Sequence, residues 1–467
     1  MLIINASLGA GQACVALRIE GERIVELAPG LRPHAGEELF DAAAAAVLPG
    51  LHDHHIHLLA YAAALNSVPC GPPEVSDAAA LFKVLVEHGA RAGTGWMRGV
   101  GYHESVAGDI DRAWLDRAVP ERPLRIQHRS GQLWILNSAG LRRLGIRDGV
   151  AGDDPFERHA GVASGRLYAG DAWLRERLGG RMPALDEVSR RLASFGITGV
   201  TDASPHNALG EFLHFADEAA RGALRQDVLM MGGAALERSW CQPGIAVGAT
   251  KIHLRESDLP DFDATCARIV HSHQSGRPVA VHCVTLAELM FAVAALQAAG
   301  VRAGDRLEHA ALATPEAVAL VRDAGLAVVT QPHFVLERGD AYLSALTADE
   351  IAGLYRLRSF VSAGVAVGAG SDAPYGDANP WRSMAAAQQR TTRSGHTLGA
   401  DERLDAAAVL RLYGSSAQRP GGECRSLQVG AVADLCVLDR AWDAMCEDFA
   451  AVRVRLTLGR GRILHAA

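Results

Sequence analysis

Asp53, His55 and His57 fall at every second position of PGLHDHHIH, residues 49–57. Side chains alternate faces along a β-strand, so a strand through this stretch predicts all three on one side. Two imidazoles so spaced can share a metal ion, and an acid on the same face can orient one of them through its free ring N–H. Lys251, His282, His309 and Asp372 recur downstream, each at the end of a short apolar run. Imidazole and carboxylate donors suit zinc, and a catalytic zinc keeps a position for water, whose proton it makes easier to lose. Asp372 is then the candidate general base and acid. A lysine cation is a poor ligand, but its amine reacts with carbon dioxide to give a carbamate, and Lys251 in that form would bridge two ions. The expected cofactor is one or two zinc ions held by His55, His57, Lys251, His282, His309 and Asp372. Singly, each has a plain structural role: His282 a core histidine, His309 a surface ion pair with Glu308, Lys251 a snorkelling chain, Asp372 a helix N-cap. Their common place at strand ends favours the metal site.

The elements that would position them are legible as a rhythm. Apolar runs end at His57 and lie at 196–203, 225–231, 248–254, 277–283, 305–310, 326–333 and 365–372, with helix-like segments between most of them. Alternation of this kind implies a parallel sheet, and eight units imply a (β/α)8 barrel with its chemistry at the C-terminal strand ends. The runner-up is a doubly wound open sheet, which lacks support from any glycine-rich phosphate loop. Residues 1–48 and 421–467 alternate apolar and polar residues and predict one composite β-sandwich. The barrel then spans 49–420, interrupted by an insertion at about 60–190 expected to cover its mouth.

Composition narrows the class. The chain has 467 residues, 46 basic against 53 acidic, and 5% aromatics, with no basic block. That argues against nucleic acid as a partner. No apolar run approaches a membrane span and no secretory leader pattern opens the chain, so a cytoplasmic enzyme with a small-molecule substrate is expected, assembled as a homodimer. The eight cysteines form no CxxC pair, which fits reduced thiols. Cys283 beside His282 is not expected to act as a nucleophile, because its side chain should face away if His282 faces in.

The order HxH, Lys, His, His, Asp on an alternating strand–helix chain resembles the amidohydrolase superfamily of metal-dependent hydrolases. The resemblance runs through PGLHDHHIH, GSDAPY and VGAVADLCVLD, and so nearly the whole chain. SGQLWILNSAGLRRLGI, GITGVTDAS, RLEHA and TQPHF are similar to the branch containing N-substituted formamide deformylases. Three departures surround the substrate region. Gln132 stands where the branch usually has His, KIHLRESDLPDFD follows the strand-four lysine, and Cys283-Val284-Thr285 follows His282.

The resemblance implies hydrolysis of an amide-like, non-peptide C–N bond by metal-activated water. His103, His128, Gln132, Trp134, His206, His333 and Tyr375 are the expected substrate contacts, each with packing or surface exposure as its alternative. A one-metal deaminase, a cyclic amide or lactone hydrolase, and a non-catalytic scaffold are the competing readings.

Overall fold

A computed structural model describes residues 1–72, 74–91, 95–149, 154–179 and 182–467. The apolar runs become eight parallel strands: β1 Leu51–Ile56, β2 Ile197–Asp202, β3 Asp227–Gly232, β4 Ile245–His253, β5 Val279–Cys283, β6 Arg306–His309, β7 Ala327–Thr330 and β8 Val367–Ala369. They pair in that order from β1 to β8. Past the end of β8, Asp372 N donates to His55 O at 2.7 Å and His57 N donates to Ala373 O at 3.0 Å, drawing the last strand back to the first. The result is the nearly closed (β/α)8 barrel expected from the sequence. Every residue of β1 and β2 is buried, as in a parallel sheet with both faces covered.

Local chemistry sets where each helix begins and hence where each strand must end. Thr285 and Glu288 form a reciprocal capping box on the helix Leu286–Ala299, which stops before Gly300 at a φ of 85°. Asp261 caps Phe262–Gln274, and Thr314 caps Pro315–Asp323, whose proline occupies the first turn.

The chain ends build two four-stranded sheets. One contains Leu2–Ala6, Val15–Glu20, Arg23–Ala28 and Leu39–Asp41; the other contains Val47–Pro49, Leu435–Leu438, Val454–Gly459 and Arg462–Ala466. Ile3, Leu17 and Ile24 of the first share one core with Leu435, Val437 and Leu456 of the second. That is a β-sandwich made from both termini.

The chain divides into two units, residues 1–58 with 184–467, and residues 59–183. The second has its own six-stranded sheet and its own core, centred on Leu81, Leu85, Leu115, Leu124 and Ile126. Among the described residues no helix is long and apolar enough to cross a membrane.

Candidate metal centre

Strand alternation sorts the histidines of β1. His52 Nε2 lies 2.9 Å from Thr201 Oγ1 and His54 Nε2 lies 3.1 Å from Ser415 Oγ, both buried polar pairs. His55, and His57 one residue past the strand, turn to Asp372 instead. Asp372 Oδ1 is 3.5 Å from His55 Nε2 and 3.2 Å from His57 Nε2. A tetrahedral ion with bonds of 2.0–2.1 Å holds its ligand atoms roughly 3.3 Å apart, close to the spacing of each histidine nitrogen from the Asp372 oxygen, and all three atoms lie within 4.8 Å of one another.

The other ring nitrogens are engaged elsewhere. His55 Nδ1 donates to Glu308 Oε2 at 2.5 Å, His309 Nδ1 donates to Gln331 Oε1 at 2.7 Å, and His57 Nδ1 lies 3.1 Å from Ser204 Oγ. A carboxylate and an amide oxygen only accept, so the proton of His55 and of His309 sits on Nδ1 and the Nε2 lone pair is left for a ligand role. Burial, reinforced by the nearby Lys251 charge, brings the His55 pKa down to about 3, so the ring is neutral at physiological pH.

The remaining candidates close on the same place. The His309 ring centroid is 4.8 Å from that of His55 and 4.5 Å from that of His282. Lys251 Nζ is 3.8 Å from Glu308 Oε1 and, buried, has no hydrogen-bond partner among the described residues. Burial, with a push from Arg306, lowers its pKa to about 8 against the opposing pull of Glu308. Glu308 itself is fully buried. Burial alone would raise its pKa, but Arg306 Nε at 2.7 Å, Lys251 and His55 hold it well below the carboxylate range. Asp372 is similar: against burial, the His57 hydrogen bond and the His55 and His309 rings keep it ionised.

Two backbone features bring Asp372 within reach of β1. His309 and Asp372 both sit at positive φ, 71° and 53°, which non-glycine residues seldom adopt and which concentrate at functional sites. At Gly370, a Cβ would lie 2.3 Å from His55 N and 2.6 Å from His55 Cβ, so only glycine lets this loop rest on β1. Gly370→Ala is expected to push the loop outward, costing about 1–3 kcal/mol and most of the turnover; a thermal melt and a rate measurement check it.

Asp53 corrects one expectation. Its Oδ1 accepts the backbone N–H groups of His55 and Ser371, each at 3.0 Å, so it ties the β8 loop to β1 and does not orient an imidazole. Orientation of His55 falls to Glu308, which the sequence reading named only in the alternative it weighed for His309, a surface ion pair. Alternation was the available signal: Arg306 and Glu308 share one face of β6, and their pairing marks that face as buried. His253 was also missed. It lies two residues beyond Lys251, its ring stacked on that of His282 with centroids 4.0 Å apart and planes 14° apart.

The expected substrate contacts separate. The Tyr375 ring meets the His57 ring edge-on at 5.6 Å, beside the donors. His206, just past β2, is exposed. His333 is fully buried, with Nε2 3.0 Å from Ser371 O and Nδ1 3.1 Å from Ser383 Oγ, a supporting position in place of the expected substrate contact. In the inserted unit, Trp134 is buried with Nε1 donating to Asp171 at 2.7 Å, again packing. Gln132 is exposed, and His103 and His128 meet across Glu104. Cys283 is buried, and burial pushes its thiol up to about 12, too high for a thiolate nucleophile.

A barrel with imidazole and carboxylate donors gathered past its strand ends defines a metal-dependent hydrolase of the (β/α)8 class. The chain belongs to the amidohydrolase family, whose model matches residues 38–465. It is therefore a metal-dependent hydrolase of non-peptide carbon–nitrogen bonds. N-substituted formamide deformylase of Arthrobacter pascens is 26% identical over 94% of this chain and 93% of that protein. Protein LONG AFTER FAR-RED 3 of Arabidopsis thaliana is 22% identical over 87% of this chain and 80% of its own length. Among solved structures, an uncharacterized metal-dependent hydrolase from Pyrococcus horikoshii superposes with a TM-score of 0.74 at 18% identity, covering 99% of each chain. Atrazine chlorohydrolase TrzN from Arthrobacter aurescens, complexed with zinc, has a TM-score of 0.57 at 15% identity, covering 100% of this chain and 95% of its own. These last two likenesses are of fold.

Proposed function

We propose that this enzyme hydrolyses an N-acyl or N-formyl bond of a small molecule at a zinc centre held by His55, His57, His282, His309 and Asp372. The observation that carries the reading is the convergence of His55 Nε2 and His57 Nε2 on Asp372 Oδ1, at 3.5 and 3.2 Å. The donor set fits a borderline metal: imidazoles, two of them, His55 and His309, with Nδ1–H held by an acceptor so that Nε2 is free, and an ionised carboxylate. When bound, zinc acidifies water and polarises a carbonyl oxygen.

The chain's own residues do the rest. Asp372 takes the proton of the attacking water and passes it to the departing nitrogen. Glu308 holds the His55 ring and balances Arg306 and, before the carbamate forms, the Lys251 ammonium. Tyr375 and His206 meet the substrate as the expected contacts beside the donors. His253 adds a polar group on the His282 side. Cytoplasmic placement belongs to the same reading, and all eight cysteines are free.

The test is chelation followed by assay on N-formyl, N-acyl and cyclic amides. The expected outcome is loss of turnover on stripping and its return with zinc, with carboxylate and amine as products. Ammonia released from a heterocycle would instead favour a deaminase, and a folded protein that takes up no zinc would overturn the reading.

Lys251 is assigned as the carbamate-forming lysine. Its neutral amine adds to the carbon of carbon dioxide, an N–C bond forms, and one proton is released, leaving an anionic carboxylate on Nζ. Only the neutral amine reacts, and a pKa lowered to about 8 makes its fraction grow as pH rises through 8. Reactivation of stripped enzyme by zinc should therefore speed up with bicarbonate, and more at pH 8.5 than at 7. In Lys251→Ala the bicarbonate effect should vanish. Bicarbonate-independent reactivation of the wild type would remove the carbamate and leave a one-ion site.

A further inference from the structure

The inserted unit carries a second cluster of metal-type donors, built wholly from its own residues. The strands Met97–Tyr102 and Leu124–His128 run parallel, with Tyr102 opposite His128. His103 follows the end of one and His128 ends the other, so two imidazoles emerge side by side. Their rings stack with centroids 5.7 Å apart and planes 26° apart. Glu104 reaches between them: Oε2 is 2.9 Å from His128 Nε2, and Oε1 is 3.6 Å from His103 Nε2. One ligand atom from each of the three residues lies within 4.8 Å of the others.

The two histidines also share an outer partner of one kind. In each His-x-Ser stretch the serine hydroxyl meets Nδ1, Ser105 Oγ at 2.8 Å from His103 and Ser130 Oγ at 2.7 Å from His128. A hydroxyl can donate or accept. Without an ion, Nδ1 also accepts the serine backbone N–H, at 3.2 and 3.1 Å, and Nε2–H points at Glu104. With an ion, Nδ1–H donates to the hydroxyl, Nε2 becomes the ligand, and the two amides, on exposed serines, turn to water. The arrangement therefore offers Nε2 to an ion at the cost of the two amide–Nδ1 hydrogen bonds. A cavity of about 280 Å³, lined among others by Glu104, His128 and Gln132, leaves room for water in the open position. Among the described residues that line it, Arg166 is already paired with Asp109 at 2.9 Å, while the Arg129 charge also acts on His103.

We propose that His103 Nε2, His128 Nε2 and a Glu104 oxygen bind a divalent transition ion of the zinc class in the inserted unit, in addition to the barrel centre. Two nitrogens, one oxygen and a water complete a tetrahedron. The ion clasps the ends of two neighbouring strands that come from segments joined by the helix Arg112–Ala118.

The test removes the barrel donors first, so that failure of the barrel reading and failure of this one are distinguishable. Full-length His55→Ala/His57→Ala protein is stripped and titrated with cobalt(II), read by d–d absorption and by metal analysis after dialysis. The expected result is about one tightly held equivalent, which displaces with zinc and disappears on adding His128→Gln or His103→Gln. Ser130→Ala, which keeps both imidazoles, should weaken the ion about tenfold. Circular dichroism reports whether each variant is folded, and Ser130→Ala serves if a histidine variant is not. Cobalt uptake only at millimolar concentration, or a spectrum unchanged by the histidine substitutions and by Ser130→Ala, would overturn the proposal.

Discussion

Asp372→Asn is expected to lower kcat/KM by about 10⁴-fold, the upper range for loss of a positioned acid–base group. The amide keeps the shape of the side chain and can still meet His57, but it cannot take a proton from water at neutral pH. Asp372 also contributes an oxygen to the donor triad with His55 and His57. Zinc affinity should therefore fall together with the rate, and saturating zinc should restore occupancy without restoring turnover. Steady-state kinetics at several zinc concentrations separate the two losses. A rate within tenfold of the wild type at full occupancy would remove Asp372 from the proton transfer.

The second large effect is expected at Glu308, far from solvent and outside the donor set. Glu308→Gln keeps an acceptor for His55 Nδ1–H but removes the charge that faces Arg306 at 2.7 Å and Lys251 at 3.8 Å. Two cations would be left buried without their counter-ion, a change that costs about 3–5 kcal/mol when one partner of a buried pair is removed. Zinc affinity should drop about 10–100-fold, because the outer partner fixes the ring that binds. Urea denaturation of the stripped protein measures the first, and chelator competition the second. Adding Arg306→Met should return part of the stability and none of the affinity. A melting curve unchanged in Glu308→Gln would mean that the charge network carries little of the fold.

The barrel was legible because parallel strands buried on both faces cannot hide their composition. Each of the runs named from the sequence overlaps one strand, and β5 and β7 are aliphatic until the polar residue near their C-terminal ends. The donors were legible for the same reason: His282, His309 and Lys251 interrupt or end apolar runs where packing alone would place aliphatic residues. The alternation of Asp53, His55 and His57 was read correctly as one face, but face does not fix partner. Asp53 points to backbone amides of the β8 loop, a loop more than 300 residues away in the chain, at Ser371. Glu308 was given no role of its own, because a Glu-His pair on the surface and one at a barrel rim have the same local sequence.

The insertion was harder. Its apolar and aromatic pieces were expected to cover the barrel mouth, with packing as the alternative, and the sheet that they form takes its strands in an order that no local signal encodes. His103 and His128, 25 positions apart, become neighbours only because their strands pair in parallel with Tyr102 opposite His128. Nor does the sequence distinguish Trp134 and His333, which are buried as supports, from Tyr375, which stands beside the donors.

Hydrophobic periodicity and residue type thus determined the strand–helix alternation, the barrel class and the pool of ligating side chains, since these depend on the near neighbours of each residue. Tertiary structure alone decided which nitrogen of His55 and of His309 is free, which carboxylate orients His55 and which meets His57, and where Lys251 finds a countercharge. Those properties are set by distances across the barrel between groups hundreds of positions apart, in a buried medium where a shift of one hydrogen bond changes the charge that a group can carry.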